Sequence, residues 1–510
     1  MSAGCSPTPE RRTDLVSRYL RRYDSPVMGE CREEDLWIAG KRVPARSGRY
    51  AAVVNPATGE VLARVAEGGA DDVDAAVAAA RQSFEHGGWR RANVAERARV
   101  LLQLAERLRA AAEELAVLES RTVGKPIQEA RAEIEMGAAC FQYYAGLIPA
   151  FGGQTVPLGA PGAGFTFREP VGVCGLIVPW NFPFAIITWK AAPALALGNS
   201  VVVKPASATP MTALRLAELA AAAGVPPGVL NVVPGPGSGA GSALAQHPDV
   251  RKISFTGSTQ VGSEVMRLVA GDVKRVSLEL GGKSASLIFA DADLEKAGSS
   301  VSGSFGNAGQ DCCARSRVLV ERPVYQEVVE RFVDRTRALR IGDPLQDSTE
   351  MGSLISREHR ERVHGYVRQG VDQGAKLCTG GEALRGEAFD RGSFYDPAVF
   401  CDVTAEMTLA HEEIFGPVVA ILPFDSEEEA IRLANSTMYG LSGSLWTRDL
   451  ARALRVARAI ETGVLSINSG WSVHLEMPFG GVKRSGLGRE LGPTALDHYS
   501  EWKSVFIAAE

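Results

Sequence analysis

The sequence predicts an α/β protein built on parallel sheets. Two observations predict it. From Val171 onward, short apolar runs alternate with amphipathic stretches, and a second series of the same kind begins near Gly281. Strand–helix–strand alternation implies parallel strands joined by right-handed crossovers.

The elements follow in order. Trp37–Lys41 reads as a strand and turn, and Asn55-Pro-Ala-Thr-Gly59 is a turn in which Pro and Gly preset the dihedrals. A helix begins at Asp71, with Asp71 or Asp72 as its cap and Val73, Val77 and Ala80 on its apolar face. A second amphipathic helix spans about Asn93 to Ala112, with Leu101, Leu104, Ala105 and Leu108 inward. Val171–Val178, Ser200–Val203, Val229–Val233 and Lys252–Phe255 are buried strands. Helices Met211–Ala223, stopped by Gly224, and Ser242–Gln246 fall between them. The second series includes a helix around Glu327–Leu339 and a strand Val418–Leu422. Ser500–Ala508 is a terminal strand placed to pair with another element or subunit.

Composition narrows the class. The chain has 510 residues, 45% hydrophobic and 23% charged, enough apolar surface for a large core split over several domains. A net charge of -5 argues against a nucleic-acid or anionic-membrane partner. No apolar run approaches the roughly 20 residues that span a bilayer. Residues 1–33 carry Arg11-Arg12 and Arg21-Arg22 but also Glu10, Asp14 and Asp24. They read as a solvated extension, because import sequences are poor in acids. Eight cysteines lack metal-ligand spacing, and only Cys312 and Cys313 are close. That pattern suggests a reduced, cytoplasmic protein with no metal, in which one cysteine can be chemical.

Two motifs fail on inspection. Gly281-Gly282-Lys283-Ser284 ends like a phosphate loop, but Ser277 stands where its first glycine belongs. His411-Glu412-Glu413 starts like a zinc-protease helix, but Phe415 replaces the second histidine. Gly235-Pro-Gly237-Ser-Gly-Ala240 fits a loose dinucleotide fingerprint between a strand and a helix.

Seven ordered segments carry a stronger signal. They are Pro179-Trp-Asn-Phe-Pro183, Lys204-Pro-Ala206, Phe255-Thr-Gly-Ser-Thr259, Glu279-Leu-Gly-Gly-Lys283, Gly309-Gln-Asp-Cys-Cys-Ala314, Glu413-Ile-Phe-Gly-Pro417 and Pro478-Phe-Gly-Gly481. Together, from about Trp37 onward, the chain resembles the NAD(P)-dependent aldehyde dehydrogenase superfamily. The resemblance implies a Rossmann-like NAD(P)-binding domain over 34–146 and 168–279, and an α/β catalytic domain over 280–482. It also implies a small β oligomerisation arm over 147–167 with a C-terminal strand in 483–510. A homodimer or homotetramer follows from the same likeness.

The resemblance assigns roles that the residue chemistry suits. Cys312 is the nucleophile, since a thiolate attacks carbonyls well near neutral pH. Cys313 is structural, or a redox partner under oxidation. The Asn181 amide and the Cys312 backbone N–H serve the oxyanion. Glu279 is the general base that lets water cleave the thioester, and its presence favours release of free acid over acyl transfer to coenzyme A. Ser258 and Gly237 approach the pyrophosphate, Trp180 and Lys204 the adenosine ribose, and Glu413 and Phe415 the nicotinamide ribose. Ser207 departs from the glutamate of many NAD-specific relatives, so NADP is expected to be usable beside NAD.

Substrate choice stays open at this level. Phe182, Ile186, Trp189, Trp471 and Val473 are expected to line the aldehyde tunnel. Aromatic walls suit aromatic, long aliphatic or cationic aldehydes, with Glu476 adding cation preference. The reading leans to an aminoaldehyde or broad-specificity enzyme. A thiol esterase using Cys312 and Glu279, or a non-catalytic homologue, are the alternatives.

Overall fold

The computed structural model describes residues 32–509. The reading of 1–33 as a solvated extension therefore lies almost wholly outside the described residues.

Two sheets organise the molecule. The first has eight strands, and its middle five are parallel: Arg275–Glu279, Lys252–Thr256, Val173–Ile177, Ser200–Lys204 and Leu230–Val232, in that spatial order. Antiparallel strands finish both edges, Gly486–Leu487 on one side and the hairpin Leu36–Ile38 and Lys41–Val43 on the other. Both faces are covered. In the strand Ser200–Lys204, Val202 packs with Val73, Val77 and Leu244, whereas Val201 and Val203 pack with Leu195 and Leu216 on the opposite side. A strand buried on both faces reads as a continuous apolar run, which is why this series shows no alternation.

The second sheet has seven strands in the order Lys376–Thr379, Ala398–Cys401, Val418–Phe424, Arg317–Glu321, Ala285–Ile288, Ser442–Trp446 and Val464–Ile467. All its pairings are parallel except the first. A third sheet joins Ser500–Ala508 to Gly162–Pro170 in an unbroken antiparallel register, with Thr155–Val156 alongside. The arm strand thus runs to Pro170 rather than stopping at 167. A small sheet of Glu33–Glu34, Val61–Ala66 and Tyr50–Val54 completes the set.

Three expectations need correction. The helix predicted from Asp71 spans Ala70–His86 and is capped by Gly69, whose N–H donates to the Asp72 carboxylate at 2.9 Å. The helix predicted to Ala112 ends at Ala110, and a second one, Ala112–Val123, follows at once. The reading of a fully reduced set of cysteines also fails. Cys378 and Cys401 form a disulfide across the antiparallel edge pair of the second sheet. Their Cα atoms are 6.3 Å apart, within disulfide reach. Register alone does not make that pair: Cys401 stands opposite Lys376, and Cys378 sits at the irregularity between Leu377 and Thr379.

Candidate active site

The strands of the first sheet deliver their carboxyl ends to one cavity of about 710 Å³. Trp180 and Asn181 follow the strand Val173–Ile177. Lys204 ends the next strand, Gly237 follows Leu230–Val232, and Gly257 and Ser258 follow Lys252–Thr256. Gly281 follows Arg275–Glu279. This crevice is where doubly wound sheets bind ligands. From the second sheet's side come Cys312, Ser356, His359, Arg362, Glu413 and Phe415.

The residues present fit a dinucleotide. Ser258 caps the helix Thr259–Ala270, accepting the Val261 N–H at 3.3 Å, so a helix start with its orphan amides faces the cavity. Glu413 accepts the Gly282 N–H at 2.9 Å. A Cβ on Gly281 would lie 2.1 Å from a Glu413 oxygen, so a side chain there would push the Glu413 carboxyl from this position. Burial raises the Glu413 carboxyl to about 7 and lowers the Lys204 ammonium to about 8. Ser207 follows the cavity residue Ala206, and its hydroxyl donates to the Gly235 carbonyl at 3.1 Å.

The loop carrying Cys312 is clasped from several sides. Asn307 and Ala308 have left-handed backbones, with φ of 47° and 56°. Such residues persist where surrounding bonds over-determine them. Here the Asn307 N–H donates to half-buried Glu129 at 3.0 Å, and its side-chain amide donates to the Asn181 carbonyl at 3.0 Å. The Gln310 amide donates to the Asn307 carbonyl at 3.0 Å, and its oxygen accepts the Ile355 N–H at 2.8 Å. Asn181 in turn donates from Nδ2 to the Gln310 carbonyl at 3.0 Å. The helix Pro183–Ala196 behind it is anchored by two buried carboxylates. Glu119 accepts the Phe184 N–H at 3.1 Å, and Glu133 the Ala185 N–H at 3.0 Å.

Cys312 is half-buried on the cavity wall. The Cys313 thiol beside it, then burial, push the Cys312 thiol well up. Glu279 is not brought to that wall. The residue is 4% exposed, neither carboxyl oxygen has a hydrogen-bond partner among the described residues, and it lies against Gly480. Burial, then nearby Glu490, raise it well above the carboxylate range. Behind it runs a buried polar chain that sequence reading missed. Lys252 donates to Ser277 at 2.9 Å, Ser277 to Ser254 at 3.1 Å, and Lys190 pairs with Glu490 while donating to Ser254 at 3.0 Å.

The expected tunnel residues separate. Phe182 and Ile186 line the cavity, and Phe182 and Val473 pack with Cys312 against one apolar core. Trp189 is buried edge-on against Phe479, with ring centroids 5.2 Å apart. Trp471 is 57% exposed, although Val473 and Leu475 of the same loop pack against the core. His359 was also missed. Its Nε2–H donates to the Phe415 carbonyl at 2.6 Å, and its ring stands edge-on to Trp180. A lone histidine on a helix carries no sequence signal for that contact.

A thiol on the wall of a nucleotide crevice is the mark of dinucleotide-dependent oxidoreductases that work through cysteine. The family comparison is specific. The chain belongs to the aldehyde dehydrogenase family, whose model matches residues 43–505. It is 42% identical over 475 residues to a betaine aldehyde dehydrogenase of Bacillus subtilis (strain 168), covering 93% of this chain and 97% of that one. Among solved structures it resembles an NAD-dependent aldehyde dehydrogenase from Sinorhizobium meliloti, with TM-score 0.92, 45% identity and 95% and 96% coverage. It also resembles a Staphylococcus aureus betaine aldehyde dehydrogenase in complex with NAD+, with TM-score 0.91, 36% identity and 93% and 94% coverage.

Proposed function

We propose that the protein oxidises an aldehyde to the carboxylic acid with NAD or NADP, through a covalent adduct at Cys312. The observation that carries this reading is the placement of Cys312 and Asn181 on the cavity that Ser258 and Glu413 also line. Cys312, as thiolate, adds to the carbonyl carbon to give a thiohemiacetal. The oxyanion is met by the Cys312 backbone N–H and by the second N–H of the Asn181 amide, the first being held by Gln310. The nicotinamide, when bound, supplies the hydride acceptor. The thioester left on Cys312 is cleaved by water, with Glu279 taking its proton. Glu279 does this after its side chain turns from Gly480 toward the cavity, and its lack of hydrogen bonds leaves little to break.

On the substrate, the same reading favours an aminoaldehyde, or a broad range of aliphatic and aromatic aldehydes. Phe182, Val473 and Leu475 give an apolar wall beside Cys312. Asp311 adjoins the nucleophile, and Glu476 faces Tyr143, so acids accompany the aromatic groups. Such surroundings favour a cationic tail. The arm pairs with the terminal strand and leaves Phe167, Trp502, Phe506 and Ile507 exposed, which supports a homodimer or homotetramer.

The test is a panel of aminoaldehydes and neutral aldehydes with NAD and with NADP, read as formation of reduced cofactor. Turnover with at least one aldehyde is expected, with the highest kcat/KM on a cationic one. Ester cleavage with no reduced cofactor from any aldehyde would replace this reading with a thiol esterase.

A further inference from the structure

The loop that presents Cys312 holds three metal-ligating side chains in a row. One ligand atom each from Asp311, Cys312 and Cys313 lies within 4.8 Å of the other two. The cluster is held by its backbone. Asp311 Oδ1 accepts the Cys313 N–H at 2.9 Å, and the Asp311 carbonyl accepts the Ala314 N–H at 3.0 Å. Arg315 clasps the Cys313 carbonyl and donates to Ser472 at 3.0 Å. The turn is thus built before any ligand arrives.

We propose that Asp311, Cys312 and Cys313 form a site for a thiophilic divalent metal ion of the zinc or cadmium class, whose occupancy blocks the nucleophile. Two thiolates and one carboxylate are a donor set that selects such ions over magnesium or calcium. In a tetrahedral zinc site, with Zn–S bonds of about 2.3 Å, ligand atoms stand about 3.5–4 Å apart. The three atoms here reach that spacing by shifts of about 1 Å or less. Cys312 lines the cavity, which gives the ion its entry.

The step is a proton-for-metal exchange. Each thiol loses its proton to solvent as its metal–sulfur bond forms, and nothing is oxidised or reduced. The sulfur lone pair that attacks an aldehyde is then shared with the metal, so capture stops until a chelator removes the ion. The proposal does not depend on which aldehyde is oxidised.

The test titrates the protein with Co2+ and follows thiolate-to-cobalt charge-transfer absorption, with no aldehyde or cofactor present. It thus reads the site even where the proposed reaction fails. Readings are taken as differences between parent and variant, so thiols elsewhere cancel. A saturable band at one ion per chain is expected. Cys313→Ser should leave about half its amplitude, since one of two sulfurs remains. It should also weaken binding by more than roughly tenfold. Asp311→Asn keeps both sulfurs, so the band should persist while affinity falls, and this variant carries the test if Cys313→Ser does not fold. No saturable band, or one that neither substitution changes, would overturn the proposal.

Discussion

The Asn307 side-chain amide donates to the Asn181 carbonyl at 3.0 Å, tying the loop that carries the Cys312 thiol to the loop that carries Asn181, the proposed oxyanion donor. Neither residue touches the other's chain neighbourhood by sequence. In the proposed reaction, the bond sets the separation of two groups that meet one carbonyl.

Asn307→Ala is therefore expected to lower kcat about a hundredfold, with little change in KM for NAD, because a shift of about 1 Å at the reacting centre costs that much. Asn307→Asp keeps the size and an acceptor but loses the donated bond, and should behave like Ala. Steady-state kinetics over a range of aldehyde and cofactor concentrations check this. An unchanged kcat would show that Asn307 only supports folding.

Glu279 makes a prediction about pH. Its carboxyl is raised in the fold, so the folded state holds its proton at pH values where the unfolded chain has released it. Stability then falls as pH rises above the ordinary carboxylate value of about 4.3. Glu279→Gln removes that slope. The variant's Tm should match the parent's near pH 4 and exceed it increasingly toward neutral pH, while steady-state turnover drops and the first acylation burst survives. Melting curves at several pH values, with rapid-mixing kinetics, separate the two effects.

Ser207 carries no charge, so under the proposed reading the 2′-phosphate of NADP is expected to meet no repulsion there. Ser207→Glu should lower kcat/KM for NADP at least tenfold relative to NAD, about 1.4 kcal/mol of discrimination. Comparing the two cofactors on one aldehyde measures it.

The sequence makes the parallel strands and most of the cavity legible, for physical reasons. Strands buried on both faces are continuous apolar runs, and the loops at their ends keep Asn181, Ser258 and Gly281 because turns and close approaches demand those residue types. Ser242–Gln246 and Ser500–Ala508 stand at their expected bounds. What is illegible depends on distant chain coming together. His359 reaches Phe415 only after the helix Arg357–Asp372 is docked. The Lys190–Glu490 pair joins residues 300 apart. Cys378 and Cys401 meet only once their strands are paired, with Cys378 at an irregularity in the register. Trp471 reads as a tunnel wall because aromatic residues near a site usually face inward, whereas its side chain is 57% exposed.

The central claim is that Cys312, rather than Cys313, carries the acyl group. The most direct measurement is mass spectrometry of protein quenched during turnover of an aldehyde with NAD, followed by peptide mapping. The account predicts an acyl adduct on Cys312, absent from Cys312→Ala, which should have lost oxidation, and still present in Cys313→Ala. An adduct on Cys313, or full dehydrogenase activity in Cys312→Ala, would contradict it.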